Sequence, residues 1–215
     1  MYNNEYIISV DGGCRTNKSR ISKELSRVLN VPFLDTGFVY RAFSLFWKDV
    51  PYEQFFDKPI AFYDCYSQVE LRRSGLGSIV LVNGNTIDPT IEKHAIDTLT
   101  SIIAENIPIR LYLTNVIHQY IRERRFVVSG RDIGSFVFPN TKFKIYLECD
   151  YEDKGRKGLD EKMIQIIKER DDRDKNRGFA PLKKERNQLI LNSNNYSIEE
   201  SVNIILSYIR EKGWK

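Results

Sequence analysis

Ile7-Ile8-Ser9-Val10-Asp11-Gly12-Gly13-Cys14-Arg15-Thr16-Asn17-Lys18-Ser19 begins as an apolar run, becomes a polar loop and leads into the helix-like Arg20-Ile21-Ser22-Lys23-Glu24-Leu25-Ser26-Arg27-Val28-Leu29. A buried strand thus enters a loop, and the loop enters a helix. A turn of this kind leaves backbone N–H groups converging at a helix N-terminus, where those donors and the helix dipole hold phosphate oxygens. Against the pattern of glycine, any four residues, glycine, lysine and a hydroxyl residue, Gly12, Lys18 and Ser19 fit, while Asn17 stands in place of the second glycine. Asparagine tolerates positive φ better than most residues, so the replacement is expected to cost about 1 kcal/mol. The same stretch also reads as a polar turn without a ligand.

Downstream, Val31-Pro32-Phe33-Leu34 reads as a second strand, and Phe38 to Trp47 shows helical spacing. Strand, helix, strand, helix begins a parallel α/β sheet. The loop after the first strand and the segment Asp35-Thr36-Gly37 to Arg41 after the second would open onto one crevice. The plainer alternative packs Tyr40 in the core and leaves Arg41 solvated.

From Asp64 to Asp88 the pattern changes to a β-meander, with Val69-Glu70-Leu71, Ser78 to Val82, a turn at Asn83-Gly84-Asn85, and Thr86-Ile87. Helical spacing returns from Pro89 to Ile103, with Ile91, Ala95, Leu99, Ile102 and Ile103 on one side; Pro108 breaks it, and a further helix is expected from about Ile109 to Arg124. Arg125 to Ser129 is a strand that ends in Gly130-Arg131-Asp132-Ile133-Gly134. Adjacent opposite charges at the carboxyl edge of a sheet can read a phosphate and a hydrogen-bonding base together, or can form an ordinary salt-bridged turn. Lys144 to Glu148 is another strand, followed by the charged segment Asp150 to Asp160 and a helix from about Glu161. On that helix Arg170, Asp174 and Arg177 fall at offsets of four and three, so they share one face.

The chain has 215 residues and 41% hydrophobic content, enough for one sizeable core and best read as a single embellished domain. No run suits a bilayer crossing, and the N-terminal Met1 to Glu5 enters the first strand without a secretory signal; a cytoplasmic location is expected. Three widely spaced cysteines, Cys14, Cys65 and Cys149, argue against a disulfide scaffold or zinc site, and His94 and His118 do not form a metal pair. The net charge is +4, and the arginines are interleaved with acids, so nucleic acid is not an expected partner. Without a heptad pattern or a large apolar stripe, a monomer is expected.

These segments together resemble the cytidylate kinase family of nucleoside monophosphate kinases over nearly the whole chain. The resemblance rests on Ile8 to Gly12 with Lys18-Ser19, on Leu34-Asp35-Thr36-Gly37 with Tyr40-Arg41-Ala42, and on Gly130-Arg131-Asp132-Ile133-Gly134. It extends through Glu169 to Arg177 with Ala180-Pro181-Leu182, and Ser197-Ile198-Glu199-Glu200. It implies a P-loop NTPase-like α/β fold, a parallel sheet flanked by helices. The core would comprise about 1–64 and 111–215, with a small β-containing monophosphate-binding insertion at about 65–110 and a short lid at about 150–162.

The resemblance also implies an ATP-dependent phosphotransferase that uses Mg2+ and accepts CMP, dCMP or a modified cytidine monophosphate. Gly12, Gly13, Cys14, Arg15, Thr16, Asn17, Lys18 and Ser19 would bind ATP, with Ser19 on the metal and Lys18 on the moving phosphoryl group. Asp35 and Thr36 would line the substrate site. Arg41, Arg131 and Arg177 would hold the acceptor phosphate, Arg170 and Asp174 the sugar, and Ser101, Arg110 and Asp132 the cytosine ring. The departures lie on the donor side, where family members usually have glycines in place of Arg15 and Asn17 and an aspartate in place of Asn192. In the lid, Lys154, Arg156 or Lys157 would have to supply the charge that arginines usually provide. A second possibility is a kinase-like protein that binds a cytidine nucleotide but turns it over poorly, acting as sensor or partner.

Overall fold

The computed structural model describes residues 6–88, 93–122, 125–150 and 161–214, and of residues 93–95 only the backbone. Lys154, Arg156 and Lys157 lie outside the described residues. The chain divides into two compact units, one built from residues 6–34 and 125–214 and the other from 35–88 and 93–122.

The first unit is a five-stranded sheet made of β1 (Ile7–Gly12), β2 (Phe33–Asp35), β6 (Phe126–Gly130), β7 (Phe143–Glu148) and β8 (Leu189–Asn192), in the order β2-β6-β1-β7-β8. β1 pairs in parallel with both β6 and β7, and β7 in parallel with β8. Every residue of β1 is buried, which explains its unbroken apolar start, since a central parallel strand is covered on both faces. In register, Asp11 lies opposite Gly130 and also opposite Tyr146. The segments leaving β1 and β6 therefore emerge side by side at one edge.

Two helices cover one face of this sheet. In α1 (Lys18–Leu29), Ile21 and Leu25 turn inward one helical turn apart. In α8 (Ile198–Glu211) the inward residues are Val202, Ile205, Leu206 and Ile209. Both rows join Ile8, Val10, Val127, Ile145, Leu147 and Leu191 in a single core. α8 starts in a reciprocal cap: Glu200 N donates to Ser197 Oγ at 3.1 Å, and Ser197 N to Glu200 Oε2 at 2.7 Å. α1 stops at Asn30, which is left-handed (φ 51°), with Asn30 N donating to Arg27 O and Val31 N to Ser26 O. That stop explains why β2 begins at Phe33 and not at Val31: Val31 still serves the helix end, while Pro32 O accepts from Val127 N.

The second unit contains α2 (Thr36–Trp47), the short α3 (Tyr52–Phe55) and α4 (Ile60–Tyr66), the antiparallel meander β3 (Val69–Ser74), β4 (Gly77–Val82) and β5 (Asn85–Ile87), then α5 (Lys93–Ile103) and α6 (Ile107–Ile121). The meander matches the expected one, with its second turn at Asn83-Gly84. Neither α3 nor α4 was legible in sequence; they form around an aromatic cluster in which Phe43, Trp47, Phe55, Tyr63 and Tyr112 are buried. Trp47 stacks on Phe55 at 5.0 Å and Tyr63 meets Phe43 edge-on at 5.9 Å. The Tyr112 hydroxyl accepts from Val69 N and donates to Ser67 O, fixing the start of the meander.

Pro108 does not precede α6 but lies in its first turn, where a missing N–H does no harm, behind an Asn106 side chain that accepts from Ile109 N at 3.0 Å. α5 buries Ile96, Thr100 and Ile103, whereas Leu99 and Ile102 are half-buried, a rotation of the inner face away from the expected side. Among the described residues no helix is long and apolar enough to cross a membrane.

Asn17 occupies the left-handed region (φ 54°), as does Arg15 (φ 63°). Asn17→Gly should leave stability unchanged or raise it by up to about 1 kcal/mol, while Asn17→Ala should lower it by about 1 kcal/mol. Denaturant melts of the variants read this directly; an alanine variant as stable as the parent would show that the loop relaxes out of the left-handed region.

Candidate active site

β1 ends in a loop that turns sharply because Gly12 allows it. A side-chain carbon on Gly12 would lie 2.2 Å from the Leu147 carbonyl oxygen of the neighbouring strand, an impossible approach for any other residue. The loop then closes on itself, with Thr16 Oγ1 donating to Gly13 O at 3.1 Å and Lys18 Nζ to the same carbonyl at 3.4 Å. Arg15 is exposed, so its side chain stays on the outer surface of the turn. α1 opens at Lys18, and Asn17 before it makes no side-chain cap hydrogen bond. A loop that opens into a helix N-terminus is a kind of site that favours an anion.

Asp11, the last but one residue of β1, receives two amide hydrogens from the segment after β6: Ile133 N at 2.7 Å to Oδ1 and Gly134 N at 2.8 Å to Oδ2. The carboxylate thereby caps a π-helical turn, Ile133–Val137, and aims the preceding Arg131-Asp132. Gly134 is required by closeness, since a side-chain carbon there would lie 2.7 Å from Ser9 Oγ. Burial pushes the Asp11 carboxyl up to about 6, against the pull of the two amides.

Arg131 connects the loop to the helix α7 (Glu161–Asn176). Its Nη1 donates to Gly12 O at 2.9 Å, its Nη2 to Cys14 Sγ at 3.2 Å, and its Nε to Asp174 Oδ2 at 2.7 Å. Arg177, just beyond α7, stands 3.3 Å from Asp132 Oδ1 and 3.6 Å from Asp174 Oδ1, and gives its Nε to Ala180 O at 2.5 Å. The Ala180-Pro181-Leu182 segment has a structural purpose here: Leu182 N returns to Asp174 O at 2.7 Å, and the Leu182 side chain is buried. The structure thus brings Arg131, Asp132, Asp174 and Arg177 into one network beside the loop. Arg170 is half-buried on the same helix.

Asp171 carries no role in the sequence reading, yet it is only 2% exposed and accepts the Cys14 amide at 2.7 Å through Oδ1. Within the run Arg170-Asp171-Asp172-Arg173-Asp174 the helical phase sorts the acids: Asp171 and Asp174 face inward three residues apart, and Asp172 faces water. That phase was the available signal. Burial also pushes the Cys14 thiol up, despite Arg131 and Arg170 nearby.

The second unit holds Asp35, Thr36, Arg41, Ser101 and Arg110. Asp35 and Arg41 converge over Gly37, where a side-chain carbon would lie 3.1 Å from Asp35 Oδ1 and 3.4 Å from Arg41 Nη1. Arg41 Nε is buried and meets no acceptor. Arg110 is fully buried, gives Nε and Nη2 to Ala104 O at 3.0 and 2.7 Å, and lies over the Tyr40 ring at 5.4 Å. Tyr40 is therefore a platform for a guanidinium, in addition to being part of the packing. Thr36 and Ser101 are buried.

A family model described as cytidylate kinase matches residues 8–211. Curated relatives called cytidylate kinase include those of Thermosipho melanesiensis (30% identical, covering 95% of this chain and 97% of the relative) and Pasteurella multocida (31%, covering 97% and 96%). Among solved structures, a shikimate kinase from Bacteroides thetaiotaomicron aligns with a TM-score of 0.47 at 16% identity, over 95% of this chain and 98% of that one.

The elevated Asp11 value makes a pH prediction. The folded protein binds this proton more tightly than the unfolded chain does, so between roughly pH 4 and 6 the Asp11 contribution to stability falls as pH rises. In Asp11→Asn this component disappears, and the amide nitrogen also faces the N–H of Ile133 or Gly134, lowering stability by about 1–3 kcal/mol at pH 7. Melts of parent and variant from pH 4 to 7 should show a gap that widens as pH falls; a constant gap would contradict it.

Proposed function

The chain belongs to the cytidylate kinase family, and from that premise we propose that it is a nucleoside monophosphate kinase that transfers the γ-phosphoryl group of ATP to CMP, dCMP or a modified cytidine monophosphate. The observation that carries this reading is the position of Arg131, which donates both to the carbonyl of Gly12 in the phosphate loop and to Asp174 in the charged cluster. A guanidinium there can meet an acceptor phosphate while remaining next to the donor cradle. Phosphoryl transfer asks little covalent chemistry of a protein; alignment and cancellation of charge supply most of the catalysis.

In this reading the loop from Gly12 to Ser19 holds the donor phosphates, and Lys18 follows the transferring group. Arg41, Arg131 and Arg177 take the acceptor phosphate. The buried Arg41 Nε supports this role, because a buried donor without an acceptor is unfavourable until an anion arrives. Arg170 and Asp174 meet the sugar, Asp35 and Thr36 line the pocket, and Ser101, Arg110 and Asp132 read the ring. Cytosine offers an amine donor that a carboxylate accepts, and acceptors that arginine and serine satisfy. Lys154, Arg156 and Lys157 are proposed to cover the phosphoryl group.

Among the described residues no group of three or more His, Cys, Asp or Glu could hold a metal ion alone. Magnesium is therefore proposed to arrive with ATP and to meet the Ser19 hydroxyl, where it neutralises charge on the phosphates. Ser19 is exposed at the second position of α1, which suits a hydroxyl that meets a nucleotide-borne ion.

A coupled assay with ATP, magnesium and each monophosphate should show turnover with CMP and dCMP well above that with AMP. Lys18→Ala should reduce kcat roughly 10²-fold or more. Arg41→Ala should raise KM for CMP roughly ten-fold, the equivalent of one charge-assisted hydrogen bond. CMP binding by calorimetry without turnover would replace this reading with that of a nucleotide-binding relative; neither binding nor turnover would reject both.

A further inference from the structure

The helix α7 reaches the loop after β1 by two routes. Through Asp174 it holds Arg131 Nε at 2.7 Å, and Arg131 Nη1 in turn donates to Gly12 O at 2.9 Å. Through Asp171, about one turn earlier, it touches the loop directly: Cys14 N donates to Oδ1 at 2.7 Å, the length of a charge-assisted bond, and Asp171 is 2% exposed. A buried amide and a buried carboxylate both need partners, and here each serves the other.

The loop is shaped to admit this carboxylate. Gly13 lies outside the left-handed region, so its backbone conformation does not call for glycine. Space does: a side-chain carbon there would lie 2.7 Å from Asp171 Oδ2 and 3.1 Å from its Oδ1. The peptide that joins Gly13 to Cys14 is consequently held from both sides. Its N–H goes to Asp171, while its carbonyl, Gly13 O, accepts from Thr16 Oγ1 at 3.1 Å and from Lys18 Nζ at 3.4 Å. Because a peptide group is planar and stiff, fixing the direction of the N–H also fixes that of the carbonyl, and with it a contact of the Lys18 ammonium.

We propose that Asp171 is a positioning residue of the donor side: it sets the plane of the Gly13-Cys14 peptide and, through the Gly13 carbonyl, the place of Lys18. This rests on the proposed donor role of the loop from Gly12 to Ser19 and of Lys18. It separates Asp171 from Arg170 and Asp174, which in the proposed function meet the sugar of the acceptor. One helix then serves both substrates, and adjacent residues belong to different ones because neighbours in a helix do not share a face.

Steady-state kinetics and calorimetric titrations with magnesium-ATP and with CMP test the assignment, on variants whose melting temperatures show them folded. Asp171→Ala should lower kcat/KM for ATP roughly ten-fold, the loss of one charge-assisted hydrogen bond, and leave the Kd for CMP within about two-fold of the parent's. In a parent that binds both nucleotides without turnover, the Kd for ATP takes the place of kcat/KM. Asp171→Asn, which keeps an oxygen for the Cys14 amide, should recover most of the loss; an asparagine variant as poor as the alanine one would assign the effect to charge and overturn the proposal. Gly13→Ala breaks the same contact from the loop side, and it supplies the test should Asp171→Ala not fold. It should reproduce the ATP defect, and the double variant should be no worse than the poorer single one, since both remove one contact. Additive losses, or a defect confined to CMP, would overturn Asp171 as a donor-side residue. A parent chain that binds no ATP removes the donor role of the loop together with this proposal. A parent that binds ATP, beside an alanine variant with unchanged kcat/KM and Kd for ATP, overturns the proposal alone.

Discussion

Two amide hydrogens converge on the carboxylate of Asp11, and the arrangement of the site-bearing edge depends on them. The carboxylate sits at the end of β1, one residue before the phosphate loop, while its donors, Ile133 and Gly134, follow the Arg131-Asp132 pair at the end of β6. One side chain therefore joins two loops that the strand register has already placed abreast, Asp11 against Gly130. Burial raises the free energy of the ionised carboxylate, and the amides offset part of it. Groups held against their ordinary preference in this way concentrate at functional sites.

A chain of buried opposite charges extends from that junction. Gly12 O, Arg131, Asp174, Arg177 and Asp132 form a continuous path in which each guanidinium is shared between acceptors. Networks of this kind contribute little net stability compared with apolar packing, since desolvation offsets the Coulomb attraction. Their value here is geometric: each arginine has a set direction. Asp171 extends the same logic to the loop itself by accepting the Cys14 amide. α7 thus braces the loop after β1 as well as carrying Asp174 of the charged network.

The second unit rests on a different physical basis. Its core is aromatic, with Phe43, Trp47, Phe55, Tyr63 and Tyr112 packed at edge and stacked angles, and its polar groups are tied through tyrosine hydroxyls. The Arg110 guanidinium lies between the Ala104 carbonyl and the Tyr40 ring. Rigid rings with few rotatable bonds suit a unit with a small core, since they lose little freedom when they pack.

Much of this was legible along the chain. The unbroken apolar β1, the inward rows of α1, the meander and the Ser197–Glu200 cap are local features, set by periodicity and short-range hydrogen bonding, and the sequence by itself determined them. So too the family, whose signature runs Gly130 to Gly134 and Glu169 to Leu182 are contiguous. The tertiary structure alone decided the rest. Asn17 and Arg15 take left-handed conformations, and Gly12 admits no side chain, since one would stand 2.2 Å from the carbonyl oxygen of Leu147 on a strand more than a hundred residues away. Asp171 became a partner of Cys14, and Asp11 a cap for Ile133, through pairings whose members are far apart in sequence. Composition cannot reveal such bonds, since a carboxylate's role depends on which N–H the fold delivers to it.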